Sequence, residues 1–218
     1  MKIKDFLEQF IEGYLFSDLE NIQKRITLPL PAGEKYGASG YPMDTSILAG
    51  MEILGFLLMT DGHKFSDTHG TDYFNHFWNE YFAVEHPAYT GLAKIFRNLV
   101  RHGLAHSFIT KHGVYITRGT KEVITINAKN KELCLDADVF FSEFKQVYIN
   151  RVCPFIDGKS SPAEITTMLQ TNLDSIMASY EAKSAELFNE LSTKGPAYND
   201  LTPLMRFAGA SGSSATII

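Results

Sequence analysis

Apolar residues near the start of the chain recur at intervals of three and four, the spacing that lines one face of a helix. This pattern predicts a first helix over residues 4–26. The next segment, 28–42, is rich in glycine and proline, so a loop is expected there. Residues 47–59 are apolar apart from Glu52, and they predict a buried central helix that Asp44 caps. That run is shorter than the ~20 apolar residues of a membrane span.

A polar, turn-rich segment over 60–72 separates the central helix from a short aromatic helix predicted at 73–82. Pro87 suits the first turn of the following helix, which is expected to extend to about residue 108. Its apolar positions recur at helical spacing and leave other sectors of the helix for polar side chains.

The apolar period changes to alternation over residues 113–136, and the turns RGTK and AKNK interrupt it. This predicts a small three-stranded antiparallel β-meander, inserted directly after the helix that ends near residue 108. One face of the sheet would carry Val114, Ile116, Ile124, Ile126, Leu133 and Leu135.

Helical spacing resumes at 139–148, and the capping box SPAE at 161–164 starts a long amphipathic helix that ends near Gly195. The small, polar residues of 196–218 predict a C-terminal tail. The fold class expected is therefore mainly α (α+β): a multi-helix bundle with the β-meander, forming a single domain over residues 1–195.

Composition supports one hydrophobic core, because 44% of the 218 residues are hydrophobic. Two cysteines, Cys134 and Cys153, are too few for a disulfide framework and lack metal-type spacing, which favours a reducing compartment. The N-terminal sequence MKIKDFLEQF lacks the apolar run of a signal peptide. We therefore expect a cytoplasmic protein with no membrane association and no cofactor.

Charge is unevenly distributed along this acidic chain, whose formal net charge is −5. No aspartate or glutamate occurs between Ala88 and Lys121. The same 34 residues contain six basic side chains: Lys94, Arg97, Arg101, Lys111, Arg118 and Lys121. This acid-free window predicts a positive, concave surface, which suits a phosphate-bearing ligand such as RNA.

The sequence RNLVRHGLAHSF, residues 97–108, places a polar cluster within this window. At 100° per residue, Asn98, His102 and His106 share one helical face, and Arg101 borders it. Lys94 and Arg97 precede the cluster on the same predicted helix and add positive charge.

RHGLAHSF resembles the Arg-x4-6-His signature of the HEPN superfamily of helical proteins. Arg101 and His106 provide the signature pair, His102 is the polar residue that follows the arginine, and Phe108 is the downstream aromatic residue. A second frame, from Arg97 to His102, also satisfies the spacing but lacks that aromatic residue. The first frame is preferred for this reason.

The resemblance implies a metal-independent ribonuclease, with the motif helices of two subunits meeting across a homodimer cleft. His106 would be the general acid/base and Arg101 the charge stabiliser. His102 and Asn98 would orient them or contact phosphate, and Arg97 and Lys94 would bind the ligand. A histidine with a pKa near neutrality and a permanently charged arginine suit this chemistry.

Two other classes remain open. Arginine and histidine near a helix C-terminus are stabilised by the helix dipole in any protein, so a non-catalytic helical binding or interaction module, for an anionic ligand or a partner protein, is the alternative. Metal chemistry is a third class, because His102 and His106 have helical ligand spacing. The turn-rich segment would supply further ligands: His63, Asp67, His69 and Asp72. These residues are also typical turn formers.

Overall fold

The structure is a computed structural model that describes residues 1–30, 32, 38–101, 112–120, 122–156 and 163–193. The side chains of Leu99, Arg101, Leu191 and Ser192 are outside this description. The described residues divide into two compact units, one that ends at Ser175 and one that begins at Ile176. The described chain is mainly helical with a small three-stranded sheet, as the apolar periodicity predicts. None of its helices is long and apolar enough to cross a membrane.

Helix α1, residues 3–25, confirms the first predicted helix; it comprises Ile3–Phe6, Leu7–Phe16 and Ser17–Arg25, the middle segment being π-helical. Helix α2, Gly40–Leu57, is the buried central helix. The predicted cap at Asp44 is wrong, because α2 begins four residues earlier and Asp44 lies one turn inside it. Pro42 is tolerated there, since the N–H groups of the first turn have no acceptor within the helix.

Helix α3, residues 70–85, confirms and extends the predicted aromatic helix; it comprises Gly70–Phe77, Trp78–Phe82 and Ala83–Glu85. A 3-10 turn, Asp67–His69, precedes it, and the Ser66 hydroxyl accepts a hydrogen bond from the Thr68 amide there. Helices α2 and α3 pack closely at Gly55, where an added Cβ would overlap the carbonyl oxygen of Tyr73. A side chain larger than hydrogen does not fit at this position.

The helix predicted to begin at Pro87 begins at Ala93 instead. Pro87–Tyr89 is an isolated 3-10 turn, and Gly91 then adopts a left-handed conformation with φ +78°, which interrupts the helix. Helix α4, residues 93–101, comprises Ala93–Ile95 and Phe96–Arg101. Residues 102–108, the rest of the predicted helix, lie outside the described chain.

The sheet contains β1 (Val114–Thr117), β2 (Ile124–Asn127) and β3 (Glu132–Asp136) in the order β1-β3-β2. Strands β2 and β3 are antiparallel, but β1 pairs with β3 in parallel, so the predicted meander is wrong. The register nevertheless places the predicted apolar residues on one face. Ile116 and Ile124, for example, are both partners of Leu135.

Contacts in the link between β1 and β2 explain this topology. The amide and hydroxyl of Thr120 donate to Asp136 Oδ2 at the end of β3, at 2.5 and 2.7 Å. Arg118 donates to the carboxylate of Asp138 and to the carbonyl oxygen of Ala38. These bonds hold the link across the end of β3, so β2 pairs with the far edge of β3.

Helix α5, residues 137–152, comprises Ala137–Val147 and Tyr148–Val152, and Asp136 caps it by accepting bonds from the amides of Asp138 and Val139. A 3-10 turn, Cys153–Phe155, follows. Helix α6, Ala163–Thr193, confirms the long C-terminal helix. The Ser161 and Pro162 of the predicted capping box, and the predicted tail 196–218, lie outside the described residues.

Asn172 of α6 is buried at the end of the central helix. Its side-chain amide donates to the carbonyl oxygens of Leu57 and Met59, at 2.9 and 2.8 Å. These carbonyls lie at the end of α2 and just beyond it, where no later helical turn provides a donor. Asn172 therefore replaces a missing helical turn and attaches α6 to the core.

Candidate functional site

Helix α4 places the first part of the predicted polar cluster. Phe96 and Val100 are fully buried, so they anchor the apolar side of the helix. Lys94 is exposed, and Arg97 and Asn98 are half-buried. The Arg97 guanidinium Nη2 donates to the Thr71 hydroxyl near the start of α3. Arg97 thus connects two helices, a contact that the sequence pattern did not indicate.

The predicted catalytic pair is not part of what the structure describes. Helix α4 reaches Arg101, whose side chain is outside the description, and residues 102–111 lie wholly outside it. His102 and His106 belong to that segment. Of the six predicted site residues, the structure therefore places the side chains of Lys94, Arg97 and Asn98 on one helix.

Arg118 does not contribute to an open positive surface, which corrects one part of the acid-free-window prediction. Its side chain is 2% exposed and forms an ion pair with Asp138, with Nε 3.0 Å from Oδ1. The carbonyl oxygen of Ala38 accepts a second bond from it. An acid from a later helix neutralises this arginine, which local sequence could not show.

The described residues also form a cavity of about 740 Å³, here called the His86 cavity. It lies where the 3-10 turn Pro87–Tyr89, strand β2 and helix α5 meet. Its lining is apolar with a few polar groups: Glu85, His86, Pro87, Ala88, Tyr89, Leu92, Glu122, Val123, Ile124, Ile126, Val139 and Glu143. This combination is typical of small-molecule sites.

Three polar side chains of the His86 cavity lie together: His86, Tyr89 and Glu143. The Tyr89 hydroxyl donates to Glu143 Oε2 at 2.6 Å. His86 Nδ1 lies 3.9 Å from Glu143 Oε1, which is longer than a hydrogen bond. Burial and the neighbouring Glu143 carboxylate raise the pKa of Tyr89, so the phenol remains protonated and donates. Within the described chain, the buried Nε2 of His86 has no hydrogen-bond partner.

Charge in the His86 cavity is negative, because its described lining includes three glutamates and neither lysine nor arginine. Glu85 is compensated by contacts with Asn150 and Arg151, which lower its pKa. Glu122 is exposed, and Glu143 faces His86 and Tyr89. The cavity is thus unlike the positive surface that the acid-free window predicts.

Sequence reasoning did not identify this cluster, since Tyr89 and Glu143 are 54 positions apart and belong to different elements. No motif connects them. The nearest local signal was the pair Glu85-His86, which lies one residue before the acid-free window. This pair indicates a site only once the fold is known, because the packing of α5 against the turn brings Glu143 to His86 and Tyr89.

Asp44 is a buried acid that lies outside the lining of the His86 cavity. It is fully buried, and neither carboxylate oxygen has a hydrogen-bond partner among the described residues. Burial, and then the charge of Asp136, raise the pKa of Asp44 well above its ordinary value. The Asp136 oxygens already accept bonds from Thr120 and from the start of α5.

Within the described ranges, no group of three or more histidine, cysteine, aspartate and glutamate side chains could hold a metal ion. In the turn-rich segment, His63 Nδ1 instead lies 2.7 Å from Asp61 Oδ2. Two other histidines of the metal alternative, His102 and His106, are outside those ranges.

Comparison with protein-family models, with curated proteins and with solved structures gives no match to this chain.

Proposed function

We propose that this chain is a HEPN-like, metal-independent ribonuclease in which Arg101 and His106 act at a homodimer cleft. The observation that carries the proposal is the signature RHGLAHSF, which begins at the last described residue of α4. Two features of α4 support it. Its apolar side is anchored by Phe96 and Val100, and the helix contains no acid that would repel RNA.

The reaction assigned to the pair is cleavage of RNA by its own 2′-hydroxyl. The 2′-oxygen attacks phosphorus as its proton passes to one His106, and the P–O5′ bond breaks as the leaving oxygen takes a proton from the other subunit's copy. The products are a 2′,3′-cyclic phosphate and a 5′-hydroxyl. Arg101 stabilises the charge on the phosphorane with its planar, permanently charged guanidinium.

The remaining predicted residues would bind and orient the substrate. Asn98 and His102 would orient the pair or contact phosphate. Lys94 is exposed, so its ammonium can meet a phosphate. Arg97 donates from one nitrogen to Thr71, and a guanidinium has further N–H donors for a ligand.

A non-catalytic binding module is the second candidate. The observation that favours it is the positive charge of α4, because the exposed Lys94 and the half-buried Arg97 can bind an anion or an acidic partner without a catalytic pair. The two candidates differ in one measurable respect. Only the first predicts that the purified chain breaks RNA.

The test is RNA cleavage by purified wild type, His106→Ala and Arg101→Ala. Each substitution should lower the rate by about 10²-fold or more, the usual scale for a general acid/base, with little change in thermal stability. Activity should persist in EDTA and be absent on 2′-deoxy substrates. His112→Ala is the matched control, because His112 is exposed and lies in the same acid-free window but outside the signature.

Two results would contradict the ribonuclease proposal. Wild-type protein that leaves diverse single-stranded RNAs intact would favour the binding module. A loss of several kcal/mol of stability in His106→Ala would identify a buried structural histidine.

Light scattering should show a dimer, and a monomer at micromolar concentration would count against a composite site.

A further inference from the structure

We infer that the His86 cavity binds a small apolar molecule that carries a protonated amine. The described lining of this cavity includes neither residue of the proposed ribonuclease pair, and it involves residues of the 3-10 turn, the sheet and α5. Three observations lead to it: the size and lining of the cavity, its charge, and an acceptor position that remains available on Glu143.

The size and lining of the cavity fit a small organic ligand. A volume of about 740 Å³ lies within the range of roughly 300–1,000 Å³ typical of ligand sites. Leu92 before α4, Val123 before β2 and Val139 on α5 contribute apolar wall from three separate parts of the chain. Ile126 also lines the cavity although it is 63% exposed. A bound apolar group would cover this side chain and remove apolar surface from water.

The charge of the cavity selects a cation. Glu122 and Glu143 line it, and the third glutamate, Glu85, is compensated by Arg151. A phosphate or carboxylate ligand would meet like charge and lose its hydration without receiving an ion pair. An ammonium group would instead find opposite charge beside an apolar wall, so its hydrocarbon part and its charge are both accommodated.

Glu143 offers a specific acceptor for that ammonium group. Its Oε2 accepts from the Tyr89 hydroxyl, which fixes the carboxylate. Among the described residues no donor forms a hydrogen bond to Oε1, since His86 Nδ1 lies 3.9 Å away, so Oε1 can accept from a ligand. A carboxylate oriented by one bond and open at its other oxygen is preorganised for a cationic donor.

The experiment compares three probes with one skeleton: 4-phenylbutylamine, 4-phenylbutanol and 4-phenylbutyrate. Calorimetric titration of the full chain should give a dissociation constant at least about tenfold lower for the amine than for the alcohol, the scale of one charge-assisted hydrogen bond. The carboxylate should bind most weakly. Absence of amine binding at millimolar concentration, equal affinity for all three probes, or tightest binding of the carboxylate would overturn the inference.

Charge-removing variants locate the site. Glu143→Gln should weaken amine binding about tenfold and leave alcohol binding unchanged, because glutamine keeps an oxygen for Tyr89. Glu122→Gln provides a second variant, because Glu122 is exposed and takes no part in the contact between Tyr89 and Glu143. Glu132→Gln is the matched control, since Glu132 lies on the adjacent strand β3 but outside the cavity lining. An equal loss in Glu132→Gln, or unchanged amine affinity in both cavity variants, would overturn the assignment.

Discussion

Replacing Asp44 with asparagine should remove a pH dependence from the folding stability of this protein. Asp44 is fully buried in α2, and neither of its oxygens is hydrogen-bonded to a described residue. Its pKa in the folded chain is raised well above 3.8, first by burial and then by the charge of Asp136. The folded protein therefore holds this proton at pH values where the unfolded chain has released it.

The sign and size of the effect follow from this difference in bound protons. Below pH 3.8 Asp44 is protonated in both the folded and the unfolded state, so its contribution to the free energy of unfolding is fully present. As pH rises toward the raised pKa, the unfolded state loses the proton first. The free energy of unfolding then falls by about 1.4 kcal/mol per pH unit. Above about pH 4.5, wild type should therefore lose stability relative to Asp44→Asn at up to this rate, until the pH reaches the raised pKa of Asp44.

Urea unfolding at several pH values measures this difference, with fluorescence of the single, fully buried Trp78 as the signal. Subtracting the free energy of unfolding of the variant from that of wild type at each pH removes the contributions of the carboxylates that both proteins share. Asp5→Asn is the matched control for exchange of an exposed carboxylate on α1. A difference that stays constant or rises with pH would refute the reasoning, because Asp44 would then be ionised or compensated in the folded state.

Two further substitutions test the packing of the core. Gly55→Ala should destabilise the fold by about 3 kcal/mol or more in thermal unfolding, because the added methyl group overlaps the carbonyl oxygen of Tyr73. A loss of less than about 1 kcal/mol would contradict the close contact between α2 and α3. Asn172→Ala should cost about 2 kcal/mol in urea unfolding, since it leaves buried carbonyls such as that of Leu57 without a donor. Thr167→Ala, exposed on the same helix, is the control, and an equal loss there would refute the role given to Asn172.

Local patterns predicted most of the helices, because an amphipathic helix is recorded in the spacing of neighbouring residues. Helices α1 and α6 are examples. The antiparallel pairing of β2 with β3 was also predictable, since the turn AKNK joins adjacent strands. The position of β1 was not, because it depends on Thr120 meeting Asp136, a contact between separate elements.

The candidate sites show the same difference between local sequence signals and contacts between separate elements. Arg101 and His106 were identified because their signature is continuous in sequence, and their roles stay predictions. The His86 cavity depends on α5 bringing Glu143 to Tyr89, so no local pattern could reveal it. Arg118 is the opposite case. Its charge was evident from the sequence, but its ion pair with Asp138 could be recognised only in the folded structure.

The central position of β3 has a consequence for synthesis of the chain. Both outer strands precede β3 in sequence, so a nascent polypeptide that ends before Glu132 presents β1 and β2 without the strand that pairs with each of them. Such unpaired edges are the ones that chaperones and other nascent chains can engage. Once five more residues have left the ribosome, Asp136 is available to bind Thr120 and to cap α5. A single aspartate therefore marks the point in translation after which the sheet can close and the next helix can begin.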